Sequence, residues 1–248
     1  MQLTFLGTGD VRQVPVYGCD CPACSTARQD RRLRRKPCSA LLELGELRIL
    51  LDGGLTDLAE RFAPGDLNAI LLTHYHVDHV QGLFHLRWGL NDSIPVYGPD
   101  DRNGCADLLK HPGILDFRPP LTAFVPFQLD ELKITPLPLQ HSKPTFGYLF
   151  EHDGQHLAYL TDTVGLPEKT ECFLQNFDNL EVVIDCSQPP RPEPPRNHND
   201  LNLVIEIHTR LHSRRTWLTH IGHEMDAWLI DNGLPTGLYV AQDGQTLV

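Results

Sequence analysis

Leu71-Leu72-Thr73-His74-Tyr75-His76-Val77-Asp78-His79 closes an apolar run with four metal-ligand side chains in six positions. Ala69 to Leu72 reads as a buried strand that stops at Thr73, and such a strand would deliver His74, His76, Asp78 and His79 together into a turn. Neutral imidazole and carboxylate are the donors that Zn²⁺, Mn²⁺ or Fe²⁺ prefers. The spacing H-x-H-x-D-H therefore predicts a metal nest rather than a polar surface loop.

One such loop cannot complete two coordination shells, but three later stretches end in the same way. Leu137-Pro138-Leu139-Gln140 runs into His141, Leu157-Ala158-Tyr159-Leu160-Thr161 into Asp162, and Trp217-Leu218-Thr219 into His220. Strands of an α/β sheet place their carboxyl ends along one edge, so these loops can meet although they lie far apart in the chain. Alone, each of the three would read as an ordinary core residue; beside the nest they read as ligands.

The nest and the three later ligands resemble the metallo-β-lactamase superfamily, which implies a single-domain, four-layer αβ/βα sandwich over residues 1–248 with a two-metal site at the sheet edge. An Asp at position 162 resembles the phosphodiesterase and glyoxalase II branches, where it bridges both ions. True β-lactamases generally carry Cys there. Longer blocks are similar to one family in particular, the phosphoribosyl cyclic phosphodiesterases of the carbon-phosphorus lyase pathway. These blocks are Thr73 to Asp100, Lys110 to Asp116, Thr135 to Phe150, Thr161 to Thr170, and Asp185 through Leu201.

Bulk properties accord with one compact α/β enzyme domain. A chain of 248 residues can bury a substantial core. The net charge of −11, from 21 basic and 32 acidic side chains, argues against long polyanions such as nucleic acid. No apolar run approaches a membrane span, and Met1 to Gly7 reads as a first strand rather than a signal peptide, so a cytoplasmic protein is expected. Seven cysteines, an odd number, suit a reducing compartment better than a disulfide framework.

Three of those thiols crowd into Cys19-Asp20-Cys21-Pro22-Ala23-Cys24, a spacing suited to one tetrahedral Zn²⁺. A fourth ligand is needed. His223 follows His220 by three residues, and the resembling family closes a Cys₃His zinc from this position. Such a zinc has no open position for water and would be structural. Cys38, Cys105, Cys172 and Cys186 read as buried small apolar residues.

Apolar runs predict strands at Gln2–Leu6, Ala40–Leu44, Arg48–Leu51, Ala69–Thr73, Leu132–Pro136, Phe146–Phe150, Leu157–Thr161, Glu181–Ile184, Trp217–Thr219 and Leu238–Val240, with Gln245–Val248 strand-like. Helices are expected at Asp57–Phe62, Cys105–Lys110, Pro167–Gln175, Leu201–Leu211 and Glu224–Asp231. The basic run Arg28 to Lys36 has no interleaved aromatics for base stacking and reads as a solvated helix and turn. Pro189 to Pro195, with five prolines, reads as a stiff loop. Asp52, before Gly53-Gly54, has two readings from local sequence: a turn carboxylate, or a group that orients a ligand His from behind.

The resemblance distributes the ligands as follows. His74, His76 and His141 would hold one divalent ion, Asp78, His79 and His220 the other, with Asp162 bridging; manganese or zinc is implied. Two ions roughly 3.5 to 4 Å apart can share a water and bring its pKa from near 16 toward 7, giving a hydroxide that attacks phosphorus. Asp78 and His198 are the catalytic residues the family implies, with His198, after the proline-rich loop, as proton donor to the departing sugar oxygen. A structural reading of His198, capping the helix that starts near Asp200, stays open. The implied substrate is 5-phospho-α-D-ribose 1,2-cyclic phosphate, opened to ribose 1,5-bisphosphate, with Lys143 and Arg196 as candidate 5-phosphate contacts. The family also suggests a homodimer.

Three other readings share parts of this pattern. A tRNA 3′-processing endonuclease would use the same ligands but carries an extended basic or Gly/Pro-rich arm. Glyoxalase II generally adds a C-terminal helical extension. A noncatalytic carrier like the pyrroloquinoline quinone biosynthesis protein B shares the Cys-x-Cys-x-x-Cys loop with a degraded nest, whereas all seven positions are intact here.

Overall fold

The computed structural model describes every residue except Arg102, Pro194 and Val248. One proline of the predicted stiff loop and the last residue of the strand-like terminus thus lie outside the described residues. In chain order the elements are β1 (Gln2–Gly7), α1 (Pro22–Gln29), β2 (Ser39–Leu44), β3 (Leu47–Leu51), α2 (Leu58–Arg61), β4 (Ala69–Leu71), α3 (Val77–Val80), α4 (Leu83–Leu86), β5 (Ile94–Tyr97), α5 (Ala106–Lys110) and β6 (Leu115–Phe117). The second half continues with β7 (Phe127–Leu129), β8 (Leu132–Pro138), β9 (Phe146–His152), β10 (Gln155–Leu160), α6 (Glu168–Leu174), β11 (Glu181–Asp185), α7 (Leu201–Leu211), β12 (Arg215–Thr219), α8 (His223–Leu229), β13 (Leu238–Val240) and β14 (Thr246–Leu247).

The strands form two mixed sheets, ordered β14-β1-β2-β3-β4-β5-β6 and β13-β12-β11-β10-β9-β8-β7. In the first, β1 to β3 pair antiparallel and β3 to β6 parallel; in the second, β7 to β10 pair antiparallel and β10 to β13 parallel. The pleat sorts side chains between layers, because successive residues of a strand point to opposite faces. Leu42, Ile49 and Leu51 face Tyr148, Phe150, Tyr159 and Val183 in the core between the sheets. Their neighbours Leu41 and Leu50 pack outward on Leu58, Val80, Leu83 and Leu108 of α2 to α5. Ala158, Leu160, Val182 and Ile184 likewise meet α6, α7 and α8 through Leu174, Val204, Ile207 and Met225. The result is the four-layer α/β sandwich that the sequence implied.

Helix α7 shows why these segments are helical. Leu201, Val204, Ile207 and Leu211 recur at helical spacing and are buried, the Asp200 side chain accepts from Leu203 N at the start, and His212 ends the helix in the left-handed region. Asp200 is therefore the cap, and His198 is free of that role.

Several expectations need correction. Strand β4 stops at Leu71, two residues before Thr73. The Cys19–Cys24 segment is only partly loop, since α1 begins at Pro22 and contains Cys24. Cys172 is exposed and Cys105 half-buried, so only Cys38 and Cys186 are core thiols of the four; Cys172 falls on the solvent side of α6, whose buried face is carried by Thr170 and Leu174. The basic run is not wholly solvated. Arg35 is buried, with Nε and Nη2 donating to the two oxygens of Asp226 at 2.6 and 2.8 Å and Nη1 donating to Thr8 Oγ1 and Ala241 O. A guanidinium paired bidentately to a carboxylate, with four of its five N–H groups hydrogen-bonded, tolerates burial.

Candidate metal centre

The parallel strands set the site. β8, β10, β11 and β12 run in one direction, and their carboxyl ends carry His141, Asp162, Asp185 and His220 at one edge of the second sheet. The first sheet brings its own ends to the same edge: Asp52 follows β3 and the nest follows β4. Phe146 N donates to Thr73 O at 2.9 Å and the Tyr148 hydroxyl to Leu72 O at 2.6 Å, tying the two edges together. His76 precedes α3, a single turn that buries Asp78 and His79 while Val77 faces solvent. Gly54 and Gly82 allow that turn to sit close, since a Cβ on Gly54 would land on the Asp78 carbonyl oxygen and one on Gly82 on the Leu55 carbonyl oxygen.

Hydrogen-bond partners assign the proton in each ring. His141 Nδ1 lies 3.0 Å from the Asn197 carbonyl oxygen, which can only accept, so Nδ1 carries the hydrogen. His79 Nδ1 donates to Asp52 Oδ2 at 2.8 Å. The Ser187 hydroxyl donates to His220 O at 2.9 Å and accepts from His220 Nδ1 at 3.1 Å. The Thr73 hydroxyl donates to Asp52 Oδ2 at 2.9 Å and accepts from His74 Nδ1 at 3.0 Å. In all four rings Nδ1 is thereby engaged and Nε2 is the nitrogen turned to the cluster.

Those nitrogens converge. His74 Nε2 and His141 Nε2 lie 2.8 and 3.0 Å from His76 Nδ1. One carboxylate oxygen, Asp162 Oδ2, lies 3.2 Å from His79 Nε2, 3.4 Å from His220 Nε2, 3.7 Å from His74 Nε2 and 3.8 Å from His141 Nε2. His79 Nε2 is buried with no hydrogen-bond partner. Ring nitrogens and carboxylates crowded to about 3 Å call for positive charge among them, supplied by protons or by a metal ion. The His/Asp cluster thus fits divalent metal binding. Its ligand atoms fall into the groups His74, His76, His141 with Asp162, and Asp78, His79 with His220, each within 4.8 Å. Asp162 adjoins both sets.

The electrostatics agree. Burial pulls the His141 ring down to about 4 and, with His79 beside it, the His74 ring well below its ordinary value, which leaves both as neutral donors. Burial also lowers His220 and His79, but Asp162 and the neighbouring carboxylates outweigh it, raising His220 to about 9 and His79 well above its usual value. Asp162 moves the other way: burial raises it, and His220 and His79 overcome that and hold it ionised. A field that draws a proton to this point draws a metal ion for the same reason.

His198 sits beside the cluster, its ring stacked on His220 at 4.7 Å and 5.1 Å from His141, with Nδ1 3.2 Å from Asp185 Oδ2. Lys143 reaches the rim, paired to Asp101 at 3.2 Å, while Arg196 is exposed on the loop before His198. Asp52 behaves as the orienting group of its two readings, accepting from Thr73 N at 2.8 Å as well as from His79. Farther out, Cys19, Cys21, Cys24 and His223 form a second compact group. Cys19 Sγ and Cys21 Sγ lie 3.3 and 3.5 Å from His223 Nδ1, and Val16 N donates to Cys24 Sγ at 3.3 Å. Three free thiols around one imidazole nitrogen are a donor set for a tetrahedral ion.

Sequence reasoning missed Asp185 and Ser187. The signal for Asp185 was present: Val182-Val183-Ile184 is an apolar run that ends on a carboxylate, as the run before Asp162 does.

Known proteins resemble this chain to different depths. A crystal structure described as a new diphosphatase from the PhnP family superposes with a TM-score of 0.83 at 26% identity, covering 99% of this chain and 96% of that one. The octanoyltransferase of Porphyromonas gingivalis is 28% identical over 90% of this chain and 46% of its own length. A ribonuclease Z of Pyrococcus horikoshii is 25% identical over 61% of this chain and 48% of its own. The chain spans about half the length of these two curated relatives. Residues 48–221, holding the whole nest, His141, Asp162 and His220, match the family described as the beta-lactamase superfamily domain, and the chain belongs to that superfamily.

Proposed function

We propose that this protein is a metal-dependent phosphodiesterase that opens 5-phospho-α-D-ribose 1,2-cyclic phosphate to ribose 1,5-bisphosphate. The observation that carries the reading is the meeting of four histidine nitrogens, from His74, His79, His141 and His220 of both sheets, around Asp162 Oδ2, with His198 stacked at their side. Similarity to a diphosphatase of the PhnP family along nearly the whole chain supports phosphoester chemistry.

His74, His76 and His141 would hold one divalent ion and Asp78, His79 and His220 the other, with Asp162 shared. Manganese or zinc suits this donor set, and zinc suits the Cys19, Cys21, Cys24 and His223 group. Bound there, the two ions would supply positive charge beside the phosphodiester and make a water molecule acidic enough to act near neutral pH. Asp78 keeps its carboxylate in the site, 3.4 Å from His220 Nε2, as does Asp162. Because phosphate stays on O1 of the product, the bond that breaks is P–O2. His198 would give its proton to that departing oxygen. Lys143 and Arg196 are the cations at the rim that would meet the 5-phosphate. Among the described residues no helix is long and apolar enough to cross a membrane.

The test is turnover of the ribosyl 1,2-cyclic phosphate beside a 2′,3′-cyclic nucleotide, an aryl phosphodiester and a tRNA precursor, by wild type and His198→Ala. We expect the ribosyl substrate to lead and to lose about 100-fold or more with His198, metal content unchanged. Preference for the tRNA precursor would move the protein to the ribonuclease Z reading that one relative's name suggests.

A further inference from the structure

We infer that Asp185 is the positioning residue for His198, holding the imidazole in one of two ring orientations that stacking alone leaves equivalent; the inference deepens the phosphodiesterase reading and rests on it. An imidazole stacked on a neighbour is fixed in plane but not in sense. Rotation by half a turn about χ2 exchanges Nδ1 with a carbon and preserves the stack, because His χ2 has two broad wells. His198 lies on His220 with an interplanar angle of 19°, which sets the plane only. The contact that distinguishes the two orientations is Nδ1 to Asp185 Oδ2 at 3.2 Å, since in the flipped ring a C–H would face the carboxylate.

Asp185 is built to take this one bond. It ends β11 fully buried. Thr163 N donates to Oδ1 at 3.1 Å and Asn199 Nδ2 to Oδ1 at 3.2 Å, while Asn199 N donates to Oδ2 at 3.3 Å. A carboxylate offers about four acceptor positions. Three are filled by N–H groups of fixed direction, and the fourth is the one His198 uses. The carboxylate cannot turn without breaking its other bonds, so the orientation is transmitted from β11 to the ring. The same saturation argues against a metal ion between Asp185 and His198, although the ligand atoms of Asp162, Asp185, His198 and His220 lie within 4.8 Å of one another. With Nδ1–H committed to Asp185, Nε2 is the nitrogen presented to substrate. Loss of Asp185 would let the ring populate both orientations, halving or worse the time in which Nε2 faces the leaving oxygen.

The experiment combines two substrates with one spectroscopic readout. Wild type, Asp185→Asn, His198→Ala and the double variant are assayed on the ribosyl 1,2-cyclic phosphate, whose alkoxide leaving group needs a proton, and on bis(4-nitrophenyl) phosphate, whose leaving group does not. Metal per chain is measured on each, and the ¹⁵N shifts of His198 are recorded for wild type and Asp185→Asn. We expect Asp185→Asn to lower kcat on the ribosyl substrate by about 10- to 100-fold with KM little changed, and to change turnover of the aryl ester by less than about threefold. The double variant should be no worse than His198→Ala, because residues that act as one unit are not additive. The spectra should show a protonated Nδ1 in wild type and a mixture in the variant. Equal loss on both esters with metals retained, additive losses, an unprotonated Nδ1 in wild type, or an ion lost with Asp185 would each overturn the assignment. If wild type opens neither ester, the phosphodiesterase reading falls, and the His198 spectra still decide what Asp185 does.

Discussion

His79 turns Nε2 to the cluster because Asp52 occupies its other nitrogen at 2.8 Å. That carboxylate also accepts from Thr73 N and the Thr73 hydroxyl, so it is fully engaged and fully buried. Replacing it with Asn keeps the volume but puts an N–H₂ group where an acceptor stood. Outer partners of this kind typically tune metal affinity by 10- to 100-fold, and we expect a loss of about that size for Asp52→Asn, read as ions retained per chain after dialysis against a graded chelator. Unchanged retention would mean that stacking on His220 and the backbone alone orient His79. Residues of this kind mark where sequence reading stops. The four nest ligands are legible because they are local, packed into one turn. Asp52 could not be decided, and Asp185 went unnoticed, because their roles depend on partners 27 and 13 residues away in the chain. Only the fold brings those partners within reach.

At the scale of elements, the site depends on how tightly α3 sits against the turn after β3. Gly54 is the contact point, where an added Cβ would strike the Asp78 carbonyl oxygen, a backbone atom that cannot rotate aside. Gly54→Ala should therefore push α3 outward, destabilising the fold by about 3 kcal/mol and lowering occupancy at the Asp78, His79, His220 set. Urea unfolding and metal analysis together check this. A change in stability with full occupancy would show that the strain relaxes toward β3 instead. The elements read correctly from sequence are those with long apolar runs, such as β8 to β12 and α7. α3 and α4, of four residues each, are too short for helical periodicity to appear. β5 carries Pro95, a residue that argues against a strand inside a sheet, and yet it lies between β4 and β6. β6 and β7, of three residues each, are defined by pairing rather than by their own composition.

Across the whole molecule the metal cluster joins two sheets that otherwise meet through apolar packing. His74, His76, Asp78 and His79 come from the first sheet's edge, and His141, Asp162 and His220 from the second. Without a metal ion the crowded carboxylates and nitrogens depend on protons at His79 and His220 for their balance of charge, so a bound cation would add to what holds the two edges together. A ligand that binds the folded state alone adds RT ln(1 + [L]/Kd), about 2.7 kcal/mol at a hundredfold excess over Kd. For a domain of this size each kcal/mol moves the melting temperature by about 2 to 4 °C. Chelating the metal from the His/Asp cluster should thus lower Tm by roughly 5 to 10 °C relative to protein held at that excess. The loss should not be uniform. Amide exchange should quicken at the carboxyl ends of β4, β8, β10 and β12, while β7 and β14, the outermost strands at one margin of each sheet, keep their protection. The thiol cluster is a separate contributor, so the measurement is made on wild type and on Cys19→Ser, in which the Cys₃His ligand set is broken but the His/Asp cluster is intact. A chelator-induced shift that persists in Cys19→Ser belongs to the His/Asp cluster; one that disappears would place the staple in the Cys19, Cys21, Cys24 and His223 group, where α1 packs on α8.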